Sequence, residues 1–448
     1  MIERSRKYLA GSGLGPLLIK TVIGSAGLRI VGLFFGFLVG VQLARGLGVE
    51  GYGIYGLAMA IIALLTVPTE FGLPQLLTRE VAAAQVAEDW ARLRGILKWS
   101  GQTVLLISII ITVVVLIWLA MVDRDFSSTL SMTLIAGLFI VPLVALGKLL
   151  SAALSGLQYI VNSQFPDALV RPASFSLLLF LIPLVSVPLN SVLAMGLSAL
   201  SAACAFGVAL AMLWKHLPSE IHTAIPRIQS HGWWSSTLPM ALTEGMRVLQ
   251  GHLVILLLGL MVAVAMVGLF RVASSMLILI SFPTALFNSV GAPIIARLYA
   301  QGDRARLQRL LSWVALGMVS GTLILTLPFI VAGGFILSTV FGAEFHGANA
   351  PLLVLCGGAL FNAFFGANAA LLNMTGHQAR VTRASGVSLI VLALTSLPLI
   401  ILFDVVGAAI ANALAMLAWN LLMWLDARRL LSLDTSLLHL FKSSATYV

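Results

Sequence analysis

The sequence predicts an all-α polytopic membrane protein with twelve transmembrane helices, arranged as two parallel six-helix lobes around a central cavity. Three observations support this fold class. Of the 448 residues, 60% are hydrophobic and only 9% are charged, whereas soluble domains carry about 25% charged residues. Apolar stretches of membrane-spanning length recur along the whole chain, and the two halves of the chain resemble each other. The composition excludes soluble multidomain, disordered, collagen-like and disulfide-rich secreted proteins.

Helices are predicted instead of barrel strands, because the apolar runs are long and do not alternate with a period of two. A helix needs about 20 apolar residues to cross the hydrocarbon core. Only Pro188-Leu189-Asn190 separates the fifth and sixth spans, whereas the other breaks contain clear turn or charged residues. The first span follows a basic N-terminus and is too long for a signal-peptide core. The predicted spans lie near 21–43, 53–77, 99–121, 130–153, 168–188, 191–214, 236–260, 264–290, 312–333, 349–373, 384–403 and 405–425.

The basic residues predict the orientation of these spans, since cytoplasmic segments retain Lys and Arg. With the N-terminus inside, most of the 26 basic residues fall in cytoplasmic segments, and only Arg45 and Arg124 fall in outside loops. Most of the nine tryptophans lie near span ends, where indole rings favour the membrane interface. We therefore predict that both termini are cytoplasmic. The net charge of +10 then reflects orientation, and no nucleic-acid partner is expected.

The two halves match in order at one nearly constant shift. Each match is short, and a chance resemblance between apolar sequences is the alternative. We predict a duplicated six-helix unit, with an N-terminal lobe over residues 1–214, a C-terminal lobe over residues 215–448 and a polar linker at 215–235. An even number of helices makes the copies parallel, which is an architecture of transporters. The matching residues are Gly53–Tyr55 with Gly268–Phe270, Pro68–Thr69 with Pro283–Thr284, Arg92-Leu93 with Arg306-Leu307, and Trp99 with Trp313.

Three arginines, Arg29, Arg247 and Arg271, fall inside predicted spans. Each costs at least ~2.5–3.5 kcal/mol at the bilayer centre, so such residues usually face protein or water and mark a functional site. A guanidinium group offers a planar fork for phosphate or carboxylate. We therefore predict that the three arginines bind an anionic substrate. The alternative is local neutralisation, which Glu244 could provide for Arg247 from one helical turn away.

Two acids and a histidine also lie within spans. Glu70, Glu244 and His252 are candidates for coupling to an ion gradient, since acid and histidine side chains can relay protons. The alternatives are that Glu70 pairs with a cytoplasmic arginine such as Arg79 and that His252 is a packing residue. We find no nucleotide-binding loop, no metal-ligand spacing and no carboxylate pair in a loop. No cofactor, no metal and no catalytic residue are predicted.

The stretch Leu43–Tyr55 (LARGLGVEGYGIY), continued by Glu70–Pro74 and Thr78–Ala82, resembles the first two helices of polysaccharide transporters. These are the flippases of O-antigen and exopolysaccharide repeat units. Val267–Ala273 and Arg297–Asp303 in the second half are similar to that family as well. The resemblance implies the superfamily that includes lipid II flippases and multidrug and toxin extruders. Its members have two six-helix lobes in a V around a central cavity.

The resemblance implies a secondary transporter of the bacterial inner membrane that works by alternating access, with an antiporter as the form that ion coupling would take. Its substrate would be an anionic isoprenoid-diphosphate-linked oligosaccharide, moved from the inner to the outer leaflet for lipopolysaccharide or exopolysaccharide biosynthesis. Arg29, Arg247 and Arg271 would hold the diphosphate or acidic sugars. Further partners would be membrane lipids and a polysaccharide polymerase or glycosyltransferase.

Three other functions are compatible with a polytopic helical protein. These are export of small amphiphilic molecules, glycan polymerisation or ligation in the membrane, and a non-transporting scaffold in a synthesis complex. The enzymes would need a sizeable outside loop with polar catalytic groups. The longest predicted outside loop, near 334–348, is too short for that, so we expect that the protein is not an enzyme.

Overall fold

A computed structural model of the chain describes residues 14–123, 127–228 and 230–439, and in these ranges it contains helices and turns but no strand. The basic N-terminus, the C-terminal residues after 439 and Arg124 lie outside them. The prediction of an all-α protein is confirmed. The α-helices are α1 (Leu14–Glu70), α2 (Leu73–Val86), α3 (Trp90–Val122), α4 (Thr129–Leu138), α5 (Ile140–Gly156), α6 (Ile160–Phe165), α7 (Arg171–Leu181), α8 (Ser191–His216), α9 (Ser230–Met261), α10 (Val264–Ile280), α11 (Phe282–Ala300), α12 (Arg304–Phe341), α13 (Asn349–Phe365), α14 (Asn368–Met374) and α15 (Gln378–Leu431).

Membrane-spanning capacity can be judged from helix length and composition. Among the described residues, nine helices could cross a bilayer, or ten if the bent pair α10 and α11 forms one span. Two of the nine, Gly24–Glu70 and Gln378–Leu431, are 47 and 54 residues long, about twice what one crossing needs. Their backbones break at Gly48 (φ 68°) and at Asp404 (φ 48°). The layout is consistent with twelve spans, and that number stays a prediction.

Two predicted spans end earlier than hydropathy indicates. The second, at 53–77, stops at Glu70, because Phe71 and Gly72 adopt positive φ values and Pro74 opens a new helix. The eighth, at 264–290, is interrupted at Ser281 with a bend of 40°, and Pro283 lies at the start of the helix that follows. Proline suits a helix start because its missing N–H is not needed there.

Other predicted boundaries are changed by local turn chemistry. The tenth span, at 349–373, is divided at Gly366, which has a φ of 71°. The longest predicted outside loop, 334–348, consists of the end of α12 followed by a 3-10 turn. The division between the fifth and sixth spans is confirmed, since Asn190 Oδ1 accepts a hydrogen bond from Leu193 N at 2.8 Å and caps α8.

The residues group into two compact units. The first unit is Met1–Gln42 with Ile62–Glu244, and the second is Leu43–Ile61 with Gly245–Val448. The N-terminal part of the second predicted span therefore packs with residues of the C-terminal half. The division into lobes at residue 214 remains a prediction. The core of the first unit includes Leu77, Leu93 and Leu149, and that of the second includes Leu311, Leu371 and Met423.

The loops that precede α3 and α12 share one conformation. Asp89 Oδ1 accepts from Arg92 N, and Asp303 Oδ1 accepts from Arg306 N, both at 3.0 Å. In both loops the residue before the aspartate has a positive φ. Arg92 and Arg306 are also paired by the internal match of the two sequences. This agreement supports the duplication, because each loop repeats the other's hydrogen bonds.

Each unit also binds the segment that follows its last long helix. In the first unit, Arg94 Nη1 donates to Ala224 O at 2.7 Å. In the second unit, Gln308, which occupies the position equivalent to Arg94, donates to Asp434 O at 2.6 Å. Part of the predicted linker is therefore bound to the first unit.

Candidate functional site

Arg29 lies on α1 in the first unit, and its side chain is exposed. Its neighbours Ile30 and Phe34 are exposed as well, at 47% and 61%. Within the described part of the chain, the guanidinium has no hydrogen bond or ion pair. No described residue therefore neutralises this charge, which lies on an exposed apolar stretch of the helix.

Arg247 lies on α9, and its side chain is also exposed. Glu244 precedes it by one turn and is half-buried. Both residues also interact with other residues of the molecule. Local neutralisation of Arg247 therefore stays open as an alternative to substrate binding.

His252 lies on the same helix and is half-buried. Its Nδ1 atom is buried and has no hydrogen-bond partner among the described residues. The imidazole lies within electrostatic range of both Arg271 and Arg247. Three of the six predicted site residues, Arg247, His252 and Arg271, therefore lie in the second unit, with His252 within electrostatic range of both arginines.

Arg271, on α10, is held by aromatic side chains. Its guanidinium carbon lies 5.4 Å from the ring centroids of both Tyr52 and Tyr55, in the range of cation–π attraction. Its Nη1 donates to Gly56 O at 3.4 Å, and a Cβ at Gly56 would lie 2.7 Å from Arg271 Cδ. The Nε atom is buried and lacks a hydrogen-bond partner among the residues that the structure describes. Arg271 is therefore packed against the second unit's part of α1, and one of its donors is left unused.

Sequence reasoning missed this aromatic clamp. Tyr55 and Gly56 follow Tyr52 by three and four residues, so all three lie on one face of the helix. That spacing is visible in the sequence, but nothing in it indicates that the face meets Arg271.

Glu70 is 3% exposed and pairs with Lys148 of α5, whose Nζ lies 2.7 Å from Glu70 Oε1. Arg79, the example of an arginine partner in the alternative for Glu70, instead pairs with Glu80 at 3.2 Å. The physical reason is the turn at Phe71 and Gly72, which places Arg79 on a separate helix. Glu70 is thus neutralised by a lysine that no sequence pattern singles out.

In the second unit, side chains near the break in α1 and the end of α12 hydrogen-bond to each other's backbone. Arg45 Nε donates to Val340 O at 2.8 Å, and its Nη2 donates to Thr339 O, so its charge meets the C-terminal carbonyls of α12. In return, Glu344 Oε2 accepts from Val49 N at 3.0 Å, just after the backbone break in α1. This reciprocal pair fixes the start of the second predicted span to the end of α12.

A cavity of about 190 Å³ with a mixed polar and apolar lining lies between α9 and α15 in the second unit. Gln250, Asn412 and Trp419 line it, and Gln250 Nε2 donates to Ser388 Oγ at 2.9 Å. Among the residues that the structure describes, no group of three or more His, Cys, Asp or Glu side chains could hold a metal ion.

Comparison with solved structures identifies the fold. A multidrug-resistance MATE family transporter of the MOP superfamily, in an inward-facing conformation, matches with a TM-score of 0.72 and 13% identity, over 92% of this chain and 98% of the other. The lipid II flippase MurJ, in an inward closed conformation, matches with a TM-score of 0.65 and 13% identity, over 92% and 87%. A MOP superfamily transporter from Pyrococcus furiosus matches with a TM-score of 0.61 and 12% identity, over 92% and 96%.

These identities are low, so the matches establish a shared transporter fold and no more. No curated protein sequence matches the chain significantly. The family model described as polysaccharide biosynthesis protein matches residues 18–299, which is more than half of the chain. The match includes four of the five stretches that resemble polysaccharide transporters and the start of the fifth. The chain therefore belongs to the polysaccharide biosynthesis protein family.

Proposed function

We propose that this protein is a flippase that moves an anionic isoprenoid-diphosphate-linked oligosaccharide from the inner to the outer leaflet by alternating access. The family match supports a role in polysaccharide biosynthesis. The fold that the chain shares with a lipid II flippase supports transport of a lipid-linked sugar. We expect no enzymatic activity, since the similar solved structures are transporters and a flippase.

The observation that carries the proposal is the exposure of Arg29 and Arg247 on helices long and apolar enough to span a membrane. A charge in such a helix is costly unless it faces water, protein or a ligand of opposite charge. Guanidinium groups bind phosphate through paired N–H donors. A diphosphate supplies the negative charge, and an acidic sugar could add to it.

Arg271 and His252 have a supporting role in this proposal. The Arg271 guanidinium lies against the Tyr52 and Tyr55 rings, and Arg271 lies within electrostatic range of His252. We propose that Arg271 adds positive electrostatic potential to the anion site and forms part of its wall, while Arg29 and Arg247 contact the substrate. Ion coupling is assigned to Glu70, Glu244 and His252, of which Glu70 acts through its pair with Lys148.

The test is single replacement of Arg29, Arg247 and Arg271 by Ala and by Lys, with surface glycan measured at matched protein level. A charge-assisted hydrogen bond contributes about 1.5–3 kcal/mol, so R29A and R247A should each lower export about 10-fold to 100-fold. The Lys variants should retain part of the export, because they keep charge but lose the fork. R79A is the control, since Arg79 is exposed and pairs with its neighbour Glu80.

Export at the wild-type level in all three Ala variants would overturn the anion site. The alternative, export of small amphiphilic molecules, predicts efflux of a cationic dye that these substitutions do not weaken. That outcome would favour the alternative, because removing positive charge cannot weaken the binding of a cation.

We further propose that the protein lies in the bacterial inner membrane with both termini cytoplasmic, where it would meet a polymerase or glycosyltransferase. A cysteine introduced at Gly302 tests the orientation. The exposed Cys204 is first replaced by Ser, so that it does not react. A membrane-impermeant thiol reagent should then fail to label position 302 in intact cells and succeed in inverted vesicles. Labelling in intact cells would reverse the topology.

A further inference from the structure

One face of α12 is exposed along its length. On it lie Trp313, 64% exposed, and Ile324, 65% exposed, with Leu316 and Ser320 between them at helical spacing. The opposite face carries Leu311 and other buried core residues. Because α12 is long and apolar enough to span a membrane, the exposed apolar face is suited to contact lipid chains.

Two arginines extend this face beyond the tryptophan. Arg309 and Arg306 precede Trp313 by four and seven residues, so they share its face and lie about 6 and 10 Å further along the axis. Tryptophan favours the interface between the chains and the headgroups. The two guanidinium groups are therefore placed at the level of lipid phosphates.

These charges are largely uncompensated. Arg309 is exposed and has no ion pair or hydrogen bond among the described residues. Arg306 is 73% exposed, with its Nε 3.2 Å from Asp303 Oδ2. Arg297 and Arg304, at the two ends of the same tight turn, are exposed and likewise unpaired within the described ranges. Residues 297–309 thus contain four arginines and a single acidic residue, Asp303.

The equivalent helix start in the first half is used differently. Arg92, the counterpart of Arg306, donates from Nε to the buried Glu80 at 3.1 Å. Trp99, the counterpart of Trp313, is buried, with its ring 5.1 Å from that of Trp233. In the first half this surface is internal, whereas in the second half it is left open.

The position equivalent to Arg309 makes the same contrast. It is Gly95 in the first half, and a Cβ there would collide with the backbone oxygen of Arg227. A side chain at that position has no room, because the segment after α8 covers it. Arg309 has no such cover among the described residues, and its guanidinium is free to reach outward.

We propose that Arg306, Arg309 and Trp313 form a binding site for an anionic phospholipid in the leaflet whose headgroups lie at the N-terminal end of α12. The phosphate would accept hydrogen bonds from the two guanidinium groups. The indole would lie at the glycerol level, and an acyl chain would follow the exposed face of α12 towards Ile324. A net negative headgroup is favoured over a zwitterionic one, because Arg297 and Arg304 add positive charge that the described acids do not offset.

The test uses the full chain reconstituted in phosphatidylcholine vesicles that contain increasing amounts of phosphatidylglycerol with brominated acyl chains. Bromine quenches tryptophan fluorescence on contact, and the difference between wild type and W313F isolates Trp313. Trp313 should be quenched at a lower mole fraction by brominated phosphatidylglycerol than by brominated phosphatidylcholine. R309Q should reduce this preference about fivefold, and R306Q/R309Q should reduce it further. High salt should weaken the preference in the wild type.

The control is R79Q, which removes one positive charge from a residue already paired within the first unit and should leave the preference unchanged. R309K keeps the charge and should retain most of the preference. Equal quenching by the two lipids in the wild type, or an unchanged preference in R306Q/R309Q, would overturn the proposal. Neither outcome bears on the proposed transport, which is measured by surface glycan.

Discussion

Gly53 and Gly268, which occupy equivalent positions in the two halves of the chain, lie on helices that meet, and each glycine faces a backbone carbonyl of the other's helix. Gly53 faces Val264 O, and Gly268 faces Val49 O. The two valines are equivalent to each other under the same alignment of the halves. The contact is therefore self-complementary, and it joins matched positions of the duplicated sequence by backbone approach alone.

Replacing either glycine with alanine should destabilise the protein. Alanine normally stabilises a helix by about 0.5–1 kcal/mol over glycine, but here its methyl group would collide with a carbonyl that belongs to a packed helix. Overpacking of this kind costs about 1–3 kcal/mol. Thermal unfolding of purified G53A and G268A should show lower melting temperatures than wild type. G251A is the matched control, since nothing lies within 4 Å of a Cβ there; a G53A protein as stable as G251A would contradict the prediction.

The pair between Glu70 and Lys148 should behave as a buried ion pair. Removing one partner of a fully buried pair costs about 3–5 kcal/mol. Lys148 is 35% exposed, so we expect about 2 kcal/mol for E70Q, and less for the double variant E70Q/K148Q, which leaves no unpaired charge. Melting temperatures of the two single variants and the double variant form the cycle that measures this coupling. Unchanged stability of E70Q would contradict the stabilising ion pair, whereas export lost beyond the loss of stability would support the proposed role of Glu70 in ion coupling.

The two equivalent N-caps should differ in strength. Loss of an aspartate cap costs about 1 kcal/mol, which is what we expect for D303A. D89A should cost more, because Asp89 also pairs with Arg227 of the segment bound to the first unit, whereas the ion-pair partner of Asp303 is the exposed Arg306 of its own helix. Limited proteolysis near residues 218–228 should accelerate in D89A and not in D303A. Equal proteolysis in both variants would show that this segment does not depend on Asp89.

The C-terminal segment should lose its docking in acid. Burial raises the pKa of Asp434, but hydrogen bonds from Ser436 and Trp424 and the charge of Arg428 outweigh burial and lower it below its ordinary value. The carboxylate therefore stabilises the folded state fully above the ordinary pKa of about 4, and this contribution is lost as pH falls through the lowered value. The difference in melting temperature between wild type and D434N should be constant from about pH 5 to pH 7 and shrink below about pH 4. The exposed Glu220 provides the control, E220Q; a difference that grows in acid would contradict the assignment.

Much of the fold follows from the sequence, because a chain that spans a bilayer with helices needs long apolar segments, and these are visible in the sequence. The start of α8 after Asn190 is predictable, since a polar cap interrupts the apolar run there. The breaks at Gly72 and Ser281 are not visible in hydropathy, which does not change where a helix bends. Proline at the start of the next helix, Pro74 and Pro283, is the signal that could have located them.

The candidate site is less visible in the sequence. Depth along a helix can be counted, so Arg29, Arg247 and Arg271 stand out as charges within spans. Their partners do not, because a partner depends on which helix faces lie together. The same holds for Glu70 on α1, since Lys148 lies on α5, four helices further along the chain, and no periodic pattern links the two. Tertiary structure alone determines such contacts.

The assignment of residues 43–61 to the second unit has a consequence for synthesis of the chain. Its partners around Gly268 are translated about 215 residues later, which takes roughly 10–40 s at ~5–20 residues per second. During that interval the tyrosines and glycines of this stretch lie in the membrane without the helix against which they pack in the folded protein. The chain is thus exposed to misassembly early and completes its fold late, and a chaperone or lipid that shields this stretch in the meantime would raise the yield of folded protein.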